Sequence, residues 1–379
     1  MILARAGIDV LLVEQSATSA TDLRASTFHP STLDMLADLD LFEALEAQGL
    51  KAPIYQYRSE RNNTIFNFDL GEIADRSAHP YRLQCEQWKL TRLVKERLEQ
   101  FPNASVQLSR RVVGHRDTGD SVTVDIEGPD GIETHRARYL IACDGGNSTI
   151  RSRAGIEFEG FTYPEKFLCL STYWPLENHF RDLSYVNYIA DGDEWTVLLR
   201  TPSLWRILVP AAEESDDRFL LSDEKKNQIM QRLTGHGEDV VTDHRTIYRV
   251  HQRVAKAYRS GHVLLAGDAA HLNNPLGGLG MNSGIHDVWN LGKKLIRIFG
   301  GDGDDALLDL YERQRRTVMV EFVQAQTIRN KQIMERGAID SARDNELNLL
   351  NIVSDPQKRR EYLLTQSLYR SLDREAEIS

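Results

Sequence analysis

Only three cysteines occur in 379 residues, and no two of them stand at CxxC spacing, so the chain has no disulfide framework and no cysteine-built metal site. Cys143 falls in a predicted core strand and reads as a buried thiol. No apolar run approaches the roughly 20 residues that span a bilayer. No secretory signal opens the chain, because Asp9 and Glu14 interrupt the apolar start. Positive charge is scarce: 46 Lys and Arg stand against 56 Asp and Glu, and the resulting net charge of −10 argues against a broad nucleic-acid surface. HExxH, His/Cys metal spacings and a GxSxG elbow are all missing, so neither a metal nor a nucleophilic side chain is expected. Repeats and low-complexity linkers are missing as well. What remains is a soluble-enzyme composition, long enough for two domains and a large core, with the cytoplasm as its expected compartment.

The densest information lies in residues 262–295, HVLLAGDAAHLNNPLGGLGMNSGIHDVWNLGKKL. Val263 to Leu265 read as a buried strand ending in Gly267-Asp268. A loop with Pro275, Gly277, Gly278 and Gly280 follows, and from about Asn282 the spacing becomes helical, with Ile285, Val288, Leu291 and Leu295 able to share a face. A strand, a carboxylate and a backbone-exposing loop that feeds a helix start suit a phosphorylated cofactor. The carboxylate fits a polyol hydroxyl, and the helix N-terminus fits an oxyanion or an electron-rich ring edge.

This segment resembles the second flavin motif of the FAD-dependent aromatic hydroxylases, the para-hydroxybenzoate hydroxylase-like monooxygenases. The resemblance implies that Asp268 holds the ribityl chain and that Gly278, Leu279, Gly280, Met281 and Asn282 face the isoalloxazine, with Pro275 shaping the loop beside the flavin so that the neighbouring amides serve the ring. YLIACDGGNSTIRSRAGIEFEG at 139–160 is similar to the family's Asp-Gly motif, which serves both FAD and the pyridine nucleotide, with Asp144, Ser148 and Arg151 at DGxxSxxR spacing; the resemblance implies a cofactor-binding role for Asp144. Arg151 could meet a phosphate or pair with Asp144. At the N-terminus, Leu3, Gly7, Val10 and Glu14 fit the LxxxGxxVxxxE tail of a dinucleotide fingerprint, in which Glu14 would bond ribose hydroxyls. Arg24 matches the arginine that follows this Glu in the family, and Gln87 matches a flavin-contacting Gln on the next helix.

The GxGxxG of that fingerprint would fall upstream of Met1. Three explanations stand: a sequence that starts inside a longer FAD enzyme, a variant that binds FAD weakly or not at all, or a remnant that folds only with help. The first is preferred, because losing a central strand should exceed the roughly 5–15 kcal/mol by which a domain is stable. This form is therefore expected to be inactive or cofactor-free if it occurs alone.

The expected fold is α/β: a Rossmann-like FAD-binding domain lacking its first strand, an antiparallel β-sheet substrate domain, and C-terminal helices. The boundaries are 1–165 with 245–316 for the FAD-binding domain, 166–244 for the substrate domain and 317–379 for the helical segment. Residues 53–70 read as two strands turning near Asn62-Asn63 and contributing to the substrate sheet. Further strands are expected within 167–211, with turns such as Asp191-Gly192-Asp193, and a helix over 222–235 on the sheet's edge. Residues 303–335 read as helix with Leu307, Leu310 and Tyr311 as the apolar stripe.

The resemblance implies hydroxylation of a phenol-like ring with NADPH or NADH and O2, through a flavin hydroperoxide, the hard chemistry residing in the cofactor. No side chain is assigned a catalytic role. His271 invites a base role, but a histidine packed beside the loop and bonded to backbone is preferred. Tyr185, Tyr188, Arg200 and Arg206 occupy alternating strand positions and are open to substrate-orienting or structural roles. The partners are a small aromatic substrate and O2, with neither nucleic acid nor membrane, and a homodimer is possible. Two alternatives stay open: a flavin enzyme of other chemistry (halogenase, epoxidase), and a binding protein without cofactor.

Overall fold

A computed structural model describes residues 1–18, 25–60, 62–190, 195–335 and 339–379. Its largest element is an eight-stranded sheet. In spatial order the strands are His271–Leu272, Thr242–Ala255, Phe158–Thr172, Trp205–Ala211, Thr196–Arg200, Val186–Ile189, Ile54–Ser59 and Thr64–Asp69. Neighbours are antiparallel except where Val186–Ile189 runs parallel to Ile54–Ser59. The two-residue side-chain period divides this sheet into two cores. Phe167, Cys169, Tyr55, Tyr57, Tyr188 and Val197 point to one face, where helices of the C-terminal segment supply Leu349, Ile352, Tyr362 and Leu363. Leu168, Leu170, Ile189, Leu198 and Ile207 point to the other, where Ile229 and Met230 of helix Asp223–Thr234 cover them. That helix thus lies on a face of the sheet and not on its edge. The Asp191-Gly192-Asp193 turn lies outside the described residues.

The rest of the molecule is built of shorter strands. Val10–Val13 pairs in parallel with Ala104–Gln107 as a two-stranded ribbon. Leu140–Ala142 pairs in parallel with Val263–Leu265, which also pairs with Arg259–Ser260. No ladder joins these two groups among the described residues. Val13, Leu140 and Ile141 nevertheless pack against one core, together with Leu264, Leu291, Leu295 and Tyr311. An antiparallel meander, Arg111–Asp117, Val122–Gly128 and Gly131–Ala137, adds Val122, Val124 and Ile126 to it. Cys143, expected to be buried, is exposed just beyond the Leu140–Ala142 strand.

The 22-residue helix Leu279–Gly300 spans this side and ends in Gly301 with φ +82°, a left-handed stop that glycine tolerates. Its buried face is rotated from the expected one: Leu291, Leu295 and Ile298 are inside with Asn282, His286 and Asp287, whereas Val288 is exposed and Ile285 half-buried. The rotation brings polar residues inward because they find partners there. In the following helix, Ala306–Val318, the buried stripe is Leu308, Tyr311 and Val318, with Leu307 and Leu310 only half-buried. In the C-terminal segment, Pro356–Gln366 starts with Asp355 capping two backbone N–H groups, and its Tyr362, Leu363 and Leu364 are buried.

Candidate cofactor and substrate site

The strand Val263–Leu265 leads into a 3-10 turn, Gly267–Ala269, and a loop that reaches the long helix at Gly278. Gly277 and Gly278 have φ of +97° and +69°, a region costly to residues with a Cβ. Space is short too: a Cβ on Gly278 would lie 3.2 Å from Thr27 Cβ, and one on Gly277 2.5 Å from Asn330 Nδ2. These glycines let the first amides of the helix stand bare at the end of a 22-residue dipole.

The loop is clamped from both sides. Asn282 Nδ2 donates to the carbonyls of Gly278 (2.7 Å) and Thr27 (2.8 Å), while its Oδ1 accepts the backbone N–H of His29 (2.9 Å). His29 Nε2 donates to the Gly277 carbonyl at 2.8 Å. From the opposite side Asn330 Nδ2 donates to the Leu276 carbonyl at 3.2 Å, and Asn274 Nδ2 to that of Thr327 at 2.9 Å. Beneath the loop, Asp287 accepts from His271 Nε2 (2.7 Å), Arg315 Nε (2.8 Å) and the backbone N–H of Gly267 (3.0 Å). Burial alone would raise the carboxyl's pKa, but His271 and Arg315 hold it below the usual range. His271 is therefore part of a buried ion-paired network, and its partner is a carboxylate rather than the expected backbone group.

The residues expected at the cofactor fall into groups. Gly278, Leu279, Gly280, Met281 and Asn282 stand together at the helix start, with Leu279 and Asn282 buried. Pro275 is exposed on the loop, and Asp268 is exposed in the turn before it. That turn lies against the helix, since a Cβ on Gly284 would come within 3.2 Å of Gly267 Cα. Asp144 spends its oxygens locally, accepting from Ser148 Oγ (2.5 Å) and the Ile150 N–H (3.2 Å) to cap the helix Thr149–Arg153. Arg151 makes neither a carboxylate pair nor an outward fork. Its guanidinium donates to the carbonyls of Gly146 (2.8 Å) and Ala269 (2.9 Å) and lies 3.8 Å from the Phe158 ring, tying the Asp144 loop to the Asp268 turn. Gln87 is exposed at the start of helix Gln87–Leu98, and its N–H donates to Ala25. Glu14 ends its strand half-buried and accepts the Ser16 N–H at 2.7 Å. Arg24 lies outside the described residues. Exposed carboxylates at strand ends and a bare, glycine-opened helix start fit a polyol chain and a flavin ring edge. Among the described residues, no group of His, Cys, Asp or Glu could hold a metal ion, and no helix is long and apolar enough to cross a membrane.

Sequence reasoning missed a second group, which faces the loop from a three-stranded ribbon, Thr27–Phe28, Arg82–Gln84 and Leu50–Ala52. Leu83 points into an apolar cluster with Phe28 and Leu33. Arg82 and Gln84 take the opposite face by the two-residue period, on the side of Thr27 and the sheet. Gln84 accepts from Thr27 Oγ1 at 3.1 Å, and Arg82 lies 4.0 Å from the Tyr55 ring. Of the four alternating candidates on the sheet, Tyr188 and Arg206 point inward; Tyr185 is exposed and Arg200 half-buried. Arg206 Nη1 donates to Ser26 Oγ at 3.2 Å, so sheet and ribbon meet. Burial pushes the Tyr55 and Tyr57 hydroxyls well above the ordinary tyrosine range, and it holds His29 well below the ordinary histidine range, with the Arg82 charge adding to the effect.

A family model described as an FAD binding domain matches residues 1–326. Para-nitrophenol 4-monooxygenase of Pseudomonas sp. (strain WBC-3) is 30% identical over 328 residues, covering 84% of this chain and 80% of that protein. 6-Hydroxy-3-succinoylpyridine 3-monooxygenase of Pseudomonas putida (strain DSM 28022 / S16) is 28% identical over 326 residues, 85% of this chain and 81% of the relative. The crystal structure of p-nitrophenol 4-monooxygenase from Pseudomonas putida DLL-E4 superposes with a TM-score of 0.91 at 27% identity, covering 98% of this chain and 94% of that one. The chain belongs to this family of FAD-dependent aromatic monooxygenases, and FAD is its cofactor.

Proposed function

We propose that the protein hydroxylates a phenol-like ring with FAD, NADPH or NADH, and O2. The observation that supports this most is the placing of the Gly277–Gly278 loop directly against Thr27 and His29, at the edge of a ribbon that also carries the buried donors Arg82 and Gln84. Bound FAD supplies the electron store that NAD(P)H fills and the activation of O2. The chain's part is to bind and orient. Asp268 and Glu14 would take polyol and ribose hydroxyls, and the amides from Gly278 to Asn282, with Pro275 shaping their loop, would face the flavin ring. Arg24, Gln87 and Asp144 would complete the cofactor contacts. Tyr55 and Tyr188 would wall the ring and exclude water. The protein works through 1–165 with 245–316 as the cofactor unit, 166–244 as the substrate unit and 317–379 as a helical cover. It acts in the cytoplasm, and a homodimer through the helical tail is the assembly this reading favours.

The test is substrate-stimulated turnover. FAD-loaded protein should oxidise NADPH or NADH faster with one member of a panel of phenols than without any, and that phenol should gain a hydroxyl. Flavin uptake with no phenol-dependent gain in rate would contradict the reading.

A further inference from the structure

Arg82 is 1% exposed, yet no carboxylate lies within ion-pair reach of it among the described residues. Its Nη1 reaches the Tyr188 hydroxyl at a long 3.4 Å, and its Cζ lies over the Tyr55 ring, 4.0 Å from the ring centre. Nε and Nη2 have no hydrogen-bond partner, and neither has Gln84 Nε2 on the same face of the same strand. A buried guanidinium without a counter-charge is costly, and so is each unpaired buried donor. Nε–H and Nη2–H form the side-on fork of the guanidinium, the edge that grips two lone pairs of an oxyanion. The groups around it offer no competing anion. Tyr55, Tyr188 and His29 surround it, and burial keeps Tyr55 and His29 uncharged at neutral pH.

We propose that Arg82, backed by Gln84, is the anion anchor of the substrate site, and that the substrate is an aromatic anion whose charged oxygen lies on the Nε–Nη2 edge. This rests on the reading of the protein as a phenol hydroxylase and sharpens it: the ring is bound ionised. The oxygen could belong to a phenolate or to a ring carboxylate, and the probes below separate them. Gly277 accepts from His29, which places the anchor's neighbour against the cofactor loop.

The test is equilibrium binding to FAD-loaded protein, wild type against Arg82→Gln and Arg82→Lys, with 4-nitrophenol, 4-nitroanisole and 4-nitrobenzoate. Nitrophenol absorbs differently as the phenolate, so at a pH where it is neutral in water its bound charge is read directly. Wild type should bind it as the phenolate. Arg82→Gln should weaken that binding at least tenfold and leave the neutral anisole within about twofold, and Arg82→Lys should recover part of the loss. The same pattern with nitrobenzoate alone would assign the anchor to a carboxylate. Because the wild-type charge is unpaired, Arg82→Gln should melt no lower than wild type. Equal phenolate and benzoate binding by wild type and Arg82→Gln would overturn the anchor while leaving phenol hydroxylation intact. So would an Arg82→Gln that unfolds, since the arginine would then be structural. Failure of wild type to bind any of the three rings would overturn both readings.

Discussion

The two halves of the molecule are finished to different degrees. On the substrate side, eight strands form one continuous sheet whose two faces are each covered, with Tyr55, Tyr57, Phe68, Phe167, Tyr188 and Trp205 buried. On the nucleotide side, the parallel strands stand in two separate groups, and Leu11 and Leu12 in the outer ribbon are 39% and 40% exposed. The exposed carboxylate Asp268 and the half-buried Glu14 are on this side, and the buried unpaired donors of Arg82 and Gln84 face the other. A polyol and a diphosphate are recognised by groups that remain hydrated until the ligand arrives. A ring oxyanion in a dry site is recognised by donors that are already desolvated. The long helix joins the two, because its start serves the loop and its middle carries the Asp287 network.

That network is the most sensitive point of the junction. Asp287→Ala leaves a buried histidine and arginine without their shared carboxylate, and loss of one partner from such a pair costs about 3–5 kcal/mol. The urea midpoint should fall accordingly, and an unchanged midpoint would mean that the network contributes nothing. Next in size is the cofactor's own effect. FAD at a hundred times its Kd should stabilise the folded chain by about 2.7 kcal/mol. Hydrogen exchange should slow more in Val10–Val13 and Leu140–Ala142 than in the eight-stranded sheet, and equal slowing in both would erase the difference drawn here.

Acid should act at the seam between the halves. His286 of the long helix packs against Ser31 and Thr32, and burial lowers its pKa from 6.5 to about 3. The unfolded chain therefore binds this proton first as pH falls. Stability should drop by about 1.4 kcal/mol per pH unit from near 6.5 down toward 3, and be fully present above that window. His286→Gln should flatten the slope. Smallest is Gly278→Ala, which puts a Cβ into a left-handed residue beside Thr27 and should cost roughly 1–2 kcal/mol, read as a lower melting temperature and weaker FAD retention.

Much of the cofactor half was legible because its signals are local. The strand, the Gly-Asp turn, the glycine loop and the helix start all lie within residues 262–295, where spacing alone orders them. The wrong helical face came from the same locality. Asp287 and His286 fall outside the apolar spacing, and their partners, His271 and Arg315 for the one and Ser31 and Thr32 for the other, are what make them interior. Charged residues in phase with Leu291 and Leu295 were the available signal. Arg82 was hidden for the same reason. In YRLQC it alternates with Leu83 like any solvated strand residue, and its neighbours Tyr55 and Tyr188 arrive from 27 positions before and 106 after. Asp144 and Arg151 were recognised by spacing, but spacing could not say that one caps a helix and the other staples two loops.

Oxygen transfer to the ring is the reaction that defines this protein's proposed activity. FAD-loaded protein, NAD(P)H and a phenol it binds should be mixed under isotopically labelled O2, and the product weighed by mass spectrometry. One labelled oxygen atom per ring, with about one NAD(P)H consumed, is the predicted result. NAD(P)H consumed with no label in the ring would contradict it.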